Sequence, residues 1–210
     1  VAVDPGVSCE VRGFGEPEWC SSCVVGLGST CTRRGDEGRT VIDGQPIAPG
    51  MTVGYHGSLP GGWGERMIAH ESQLFPVDES ISDHTAVLME PLSVGLHAVL
   101  GCRPFPSGPV LVLGSGPIAL SVVWALRAAG FGGEVVAQVK RPHEAELAIA
   151  LGASSVVAPG LEARDAMIDT GAQAYMPLVG PEVFAGGGFP LVSDCVGNQG
   201  TLTQIGRAHV

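Results

Sequence analysis

At 210 residues the chain has room for one large domain or two small ones, each able to bury a core. Hydrophobic residues at 45% are near the globular average, charged residues at 15% are few, and the 32 glycines lack the strict period of collagen, so a loop-rich globular protein is expected. The net charge of −10 argues against nucleic acid as a partner, because phosphate neutralisation needs a basic face, and no apolar run is long enough to span a bilayer.

The opening Val1-Ala2-Val3-Asp4-Pro5 has neither an initiator Met nor a signal-peptide layout. It reads as the middle of a strand, so the natural N-terminus is expected upstream. With no secretory signal, the cytoplasm is the expected compartment. Residues 1–40 are turn-rich and carry Cys9, Cys20, Cys23 and Cys31, while Cys102 and Cys195 stand alone in apolar surroundings. Clustered cysteines without a secretory context read as a metal site rather than as disulfides. Four thiolates, Cys20-x-x-Cys23 with Cys31 beyond and Cys9 ahead, form the closed tetrahedral set of a structural zinc, with no position open to a substrate.

From Met51 to Val77 short apolar runs alternate with glycine turns, as in Tyr55 to Gly64 and Met67-Ile68-Ala69, and predict short antiparallel strands. Ser82 opens a helix that continues to Gly101, with Pro91 expected to kink or reset it near Glu90. The pattern then changes. Pro109 to Leu113 is a continuous apolar strand of the kind covered on both faces. A helix from Pro117 to about Ala129 follows, then a strand over Val135 to Val139, then a helix over Pro142 to Leu151 with Gly152 placed to cap its end. Ser155 to Ala158 makes a third strand, Leu161 to Thr170 a weaker helix, and Leu191 to Asp194 a fourth strand. Strands alternating with helices predict βαβ units and a parallel sheet. No internal repeat is visible.

Gly114-Ser115-Gly116-Pro117-Ile118-Ala119 follows a buried strand and opens a helix, the context that gives a GxGxxA turn its meaning. Gly114 permits the tight turn, Gly116 lets backbone approach a pyrophosphate, and Ala119 keeps the helix close to the strand. Pro117 and Ile118 start the helix, whose free N–H groups attract an anion. A dinucleotide is therefore the expected ligand. At the end of the second strand, where an acid would bind the ribose of NAD, Val139 is followed by Lys140 and Arg141. Two cations there suit a 2′-phosphate, so the cofactor reading leans to NADP over NAD.

These residues carry a family resemblance. Cys20-x-x-Cys23 with Cys31 is similar to the last three ligands of the structural-zinc lobe in zinc-dependent medium-chain dehydrogenases. Cys9 departs from that pattern, standing eleven positions before Cys20 where the family has three. The resemblance continues through Gly61-Gly62-Trp63-Gly64-Glu65, His70-Glu71-Ser72, Glu90-Pro91-Leu92-Ser93-Val94-Gly95-Leu96-His97-Ala98, the glycine turn and Asp194-Cys195-Val196-Gly197. It covers nearly all of residues 3–204.

The resemblance implies an α/β protein: the C-terminal part of a GroES-like β domain with a zinc lobe at about 9–31, over residues 1–95, then a truncated Rossmann-type parallel sheet over 96–204. It implies hydride transfer between NAD(P)+ and a small-molecule alcohol or carbonyl substrate, a catalytic zinc in the full-length parent, and a homo-oligomeric parent. Cys195 and Val196 would join the cofactor site. The family's catalytic Cys and Gly-His-Glu segment have no match here. Only Glu90 matches a position near catalytic zinc, and His70 and His97 read as packing or surface residues, so the chain alone is expected to be inactive. A zinc-free quinone-reductase-like member and a non-catalytic zinc-lobe and nucleotide-binding module are the alternatives. Residues 205–210, Ile-Gly-Arg-Ala-His-Val, are what the codons ATC GGA AGA GCA CAC GTC encode. Those bases match a widely used sequencing adapter, so this hexapeptide is read as an artefact and set aside.

Overall fold

The structure, a computed structural model, describes residues 1–103 and 105–208. Its contacts divide the chain into two compact units, Val1–Ala86 and Val87–Val210. The division falls ahead of the boundary after residue 95 expected from the sequence, because the helix that crosses residue 95 packs along its length on a helix of the second unit.

The first unit is mostly loop. Strand β1 (Ala2–Val3) pairs antiparallel with β4 (Leu74–Phe75), and β2 (Val41–Ile42) with β3 (Gln45–Pro46). The β2–β3 turn is Asp43-Gly44, both at positive φ, the pair of conformations that a two-residue hairpin loop requires. Short helix α1 (Ser21–Val24) lies in the cysteine segment, and α2 (Asp83–Ala86) closes the unit. Two small cores form, one of Val7, Val11, Ile47, Val53 and Leu59, the other of Phe14 with Cys9, Cys23 and Cys31. Of the short antiparallel strands expected between Met51 and Val77, β4 forms at the end of the stretch and none forms over 51–69. Only the isolated bridges Gly6–Thr52 and His56–Leu59 occur there, and Tyr55, Trp63, Met67 and Ile68 are exposed. Apolar residues that find no core have nothing to hold them in a ladder.

The second unit follows the expected alternation. Helix α3 (Met89–Gly101) is separated from α2 by Val87 and Leu88, so the break precedes Glu90 and leaves Pro91 in a first turn, where its missing N–H costs nothing. Then come β5 (Val110–Leu113), α4 (Pro117–Ala128), β6 (Val135–Gln138), α5 (Pro142–Ala150), β7 (Ser155–Val157), α6 (Leu161–Asp169), the hairpin β8 (Gln173–Tyr175) and β9 (Val183–Ala185), β10 (Leu191–Asp194) and α7 (Gln199–Ala208). The sheet is parallel with order β10-β5-β6-β7. In order of appearance this is 3-2-1-4, as in half of a doubly wound dinucleotide-binding sheet.

Strand alternation feeds two cores. Val110, Val112, Val135 and Ala137 face one layer, where α4 contributes Ala119, Val122, Val123 and Leu126 at helical spacing. Leu111, Leu113 and Val136 face the other, with Met167, Phe184 and Phe189. Each fully buried Val or Leu contributes about 1.5–3 kcal/mol. Arg127 ties the end of α4 to the sheet, donating to the carbonyls of Phe131, Gly133 and Gly152 and to Ser154 Oγ. Gly152 follows α5 at a φ of +112°, the conformation expected of its capping role. The β8–β9 hairpin lies in a stretch to which the sequence reading assigned no element.

Candidate zinc lobe and dinucleotide site

Cys20 begins the turn of α1, Cys23 lies within it, and Cys31 follows a second short turn, so local backbone alone converges three sulfurs. Cys9 joins them from the preceding loop. The four Sγ atoms all lie within 4.8 Å of one another, with Cys9–Cys31 at 3.7 Å and Cys20–Cys31 at 3.9 Å. A tetrahedral zinc with Zn–S bonds of about 2.3 Å requires an S–S edge of about 3.8 Å. The set therefore fits zinc, and Cys9 fits as the fourth ligand despite its unusual spacing. Among the described residues no other group of three or more His, Cys, Asp or Glu side chains is so placed.

Backbone N–H groups point at the sulfurs: Cys20 N–H donates to Cys9 Sγ, Cys9 N–H to Cys23 Sγ and Thr32 N–H to Cys20 Sγ, each at 3.4 Å. The Thr32 contact and its neighbours pull the Cys20 thiol down to about 5. Burial pushes Cys23 up to about 12 and also raises Cys9. Burial of the Cys9 and Cys23 thiols opposes their ionisation until a divalent cation compensates the charge, so metal binding there would be coupled to folding. Arg12 stands beside this lobe with 0% exposure. Its guanidinium donates to the carbonyls of Arg34, Asp36, Ala48 and Gly50, pinning the loops behind the cysteines. Burial lowers its pKa, and the charges of Cys31, Asp36 and Cys9 oppose that shift.

In the second unit, a cavity of about 430 Å³ opens beyond the carboxyl ends of the sheet strands. Gly114, Ser115, Gly116, Gln138, Lys140 and Val196 are among its lining residues. Gly114 has a φ of +115°, and a Cβ there would lie 2.9 Å from Val196 Cγ2. A Cβ on Gly116 would meet nothing within 4 Å, so its absence leaves open space at the start of α4. That is the geometry by which a pyrophosphate reaches helix N–H groups. Pro117 is the first residue of α4 and Ile118 is half-buried beside it.

No family model matches the chain. It is 30% identical over 187 residues to a probable (R)-acetoin-forming diacetyl reductase of Saccharomyces cerevisiae, covering 89% of this chain and 38% of that protein. The solved L-idonate 5-dehydrogenase of Escherichia coli K-12 superposes with a TM-score of 0.66 at 20% identity, over 96% of this chain and 48% of that one. A protein of Sinorhizobium meliloti 1021, provisionally named a zinc-binding dehydrogenase and solved with NADP, superposes with a TM-score of 0.61 at 24% identity, over 99% and 50%. This chain is a relative of the medium-chain alcohol and polyol dehydrogenases. It spans less than two-fifths of the yeast relative and about half of the two solved chains. The fold it shares is that of dehydrogenases that combine a GroES-like and a Rossmann domain.

Several residues stand differently from the sequence reading of such a dehydrogenase. Val139 packs in the core, and the position facing the cavity at the end of β6 belongs to Gln138. Residues 135, 137 and 139 share one face of the strand and 136, 138 and 140 the other, so a count along the chain missed the parity. Gln138 as the lone polar residue in an apolar strand was the available signal. Lys140 lines the cavity, but Arg141 does not, and its guanidinium lies 3.5 Å from Glu144. Val196 lines the cavity, while Cys195 packs half-buried against the core, its thiol pushed up by burial. Asn198, Thr201 and Gln204 line the cavity unanticipated. Asp194 organises that side by accepting from Val196 N–H, Gly197 N–H and Thr201 Oγ. Glu90 lies exposed in the first turn of α3, His97 is exposed on that helix, and His70 caps a short turn through Ser72. Among the described residues no helix is long and apolar enough to cross a membrane.

Proposed function

We propose that this chain is part of a zinc-containing oxidoreductase that moves a hydride between a small alcohol or polyol and a nicotinamide dinucleotide. The observation that carries the reading is the cavity at the strand ends, closed by a glycine turn whose missing side chains leave room for a pyrophosphate. Gly114, Gly116 and the first turn of α4 would hold the diphosphate, with Val196 and Thr201 in the same cavity wall. The bound nicotinamide supplies the hydride chemistry. Cys9, Cys20, Cys23 and Cys31 would hold a structural zinc whose work is to fold the lobe. Glu90 is the one residue here proposed to stand near a catalytic metal. An alcohol or carbonyl compound is the proposed substrate class, in keeping with the names of the relatives, and a homo-oligomer the proposed assembly.

The finer reading, NADP over NAD, rests on Lys140 in the cavity wall and on a neutral Gln138 where an acid would grip the ribose. The test of the function is absorbance at 340 nm when the full-length protein is given secondary alcohols and polyols with NAD+ or NADP+. Substrate-dependent reduction of either cofactor is expected. A zinc-loaded, cofactor-binding protein that reduces neither with any alcohol would overturn the proposal.

A further inference from the structure

The glycine turn and the helix after the second strand are joined by one side-chain bond. Ser115 Oγ, in the turn, donates to Glu144 Oε2 at 2.7 Å. The same oxygen accepts the backbone N–H of Arg141 at 3.1 Å, and Oε1 lies 3.5 Å from the Arg141 guanidinium. The Glu144 side chain is 14% exposed and the Arg141 side chain 70%, so the carboxylate is the fixed partner and the arginine the loose one. The Ser115 hydroxyl holds this carboxyl below its ordinary range, hence ionised at neutral pH.

In a sheet of this order the adenosine ribose lies between the glycine turn and the end of the second strand. A 2′-phosphate on that ribose would be drawn to the cations at the start of α5, Lys140 and Arg141, and to the helix N–H groups there. Glu144 borders that place: its carboxylate takes the Arg141 N–H, engages the Arg141 guanidinium and bonds Ser115, which lines the cavity. His143 and Glu146 are the other titratable groups of this first turn and a half, and both are exposed.

We infer that Glu144 is a specificity-determining residue of the cofactor site, an anion on α5 beside the seat of a 2′-phosphate that weakens the NADP preference set by Lys140 and Arg141. Lys140 and Arg141 pull the other way, and Glu144 sets how much of their charge a phosphate can use. The inference rests on the dinucleotide reading of the cavity.

The test compares NADH and NADPH binding to the full-length protein, by nicotinamide fluorescence, in wild type, Glu144→Gln and Ser115→Ala. Glutamine keeps the helix cap, since either Glu or Gln serves at that position, so Glu144→Gln should fold. Removing the charge should strengthen NADPH relative to NADH by more than about tenfold, the size of one charge-assisted contact. Ser115→Ala removes the bond but keeps the carboxylate, and the ratio should stay within about threefold of wild type by the same scale. An unchanged ratio in Glu144→Gln, or an equal shift in both variants, would overturn the role of the charge. If wild type binds neither nucleotide, the dinucleotide reading itself fails and this inference falls with it.

Discussion

Replacing Gly95 with alanine sets two known effects against each other. An alanine inside a helix is worth about 1 kcal/mol over glycine, so propensity alone makes Gly95→Ala stabilising. Gly95 is buried where α3 crosses α4, however, and a Cβ there would lie 2.6 Å from the backbone carbon of Ser121 and 2.8 Å from its carbonyl oxygen. Carbon contacts are comfortable near about 3.5 Å, so the helices must part by close to an ångström. The neighbour is backbone and cannot rotate away. Helix α4 cannot retreat cheaply either, because Ala119, Val122, Val123 and Leu126 hold it on the sheet and Arg127 anchors its end. Overpacking of this kind costs about 1–3 kcal/mol. Less the propensity gain, Gly95→Ala should lose roughly 0–2 kcal/mol. Gly101→Ala is the internal control: it ends the same helix, is exposed and would meet nothing within 4 Å, so it should be neutral or gain up to about 1 kcal/mol. Urea denaturation followed through Trp124 on α4 measures both. Equal stability of the two variants would refute the packing argument.

Other perturbations reach the two sites. Gly114→Ala, at a φ of +115° and against Val196, should cost about 1–3 kcal/mol of stability and weaken cofactor binding, read by thermal melts and nucleotide titration; an unchanged melt contradicts the turn geometry. Lys140→Ala with Arg141→Ala in the full-length protein should weaken NADP more than NAD, by more than about tenfold, and equal losses would remove the case for a 2′-phosphate. Arg12→Met strips the donors from four carbonyls; with buried unmet acceptors costing about 1–3 kcal/mol each, the first unit should lose its fold, seen as rapid proteolysis of residues 1–86 beside an intact second unit.

Legibility in the sequence followed the source of each element's stability. Strand β5 and helix α4 were readable because their order comes from short-range periodicity: four consecutive buried residues, then Ala119, Val122, Val123 and Leu126 on one face. The cysteine lobe was readable because ligand chemistry restricts which residues can serve. Tyr55 to Ala69 misled because Leu59 alone of its large apolar residues enters a core, while Tyr55, Trp63, Met67 and Ile68 stay exposed. The cofactor wall was half legible. Lys140 is legible from chain order, strand parity puts Gln138 rather than Val139 on the cavity, and Glu144 reaches the glycine turn only through α5, a contact between residues 29 apart in sequence.

The four cysteines as one zinc site are tested most directly by metal analysis of the purified chain. One zinc per chain is expected, retained through gel filtration, with chelation loosening residues 9–31 and exposing their thiols. Cys9→Ser should lower that retention, because Cys9 is fully buried and supplies the fourth sulfur 3.7 Å from Cys31. Protein isolated in the presence of zinc that contains none, with all four thiols reacting as free cysteines, would contradict the site.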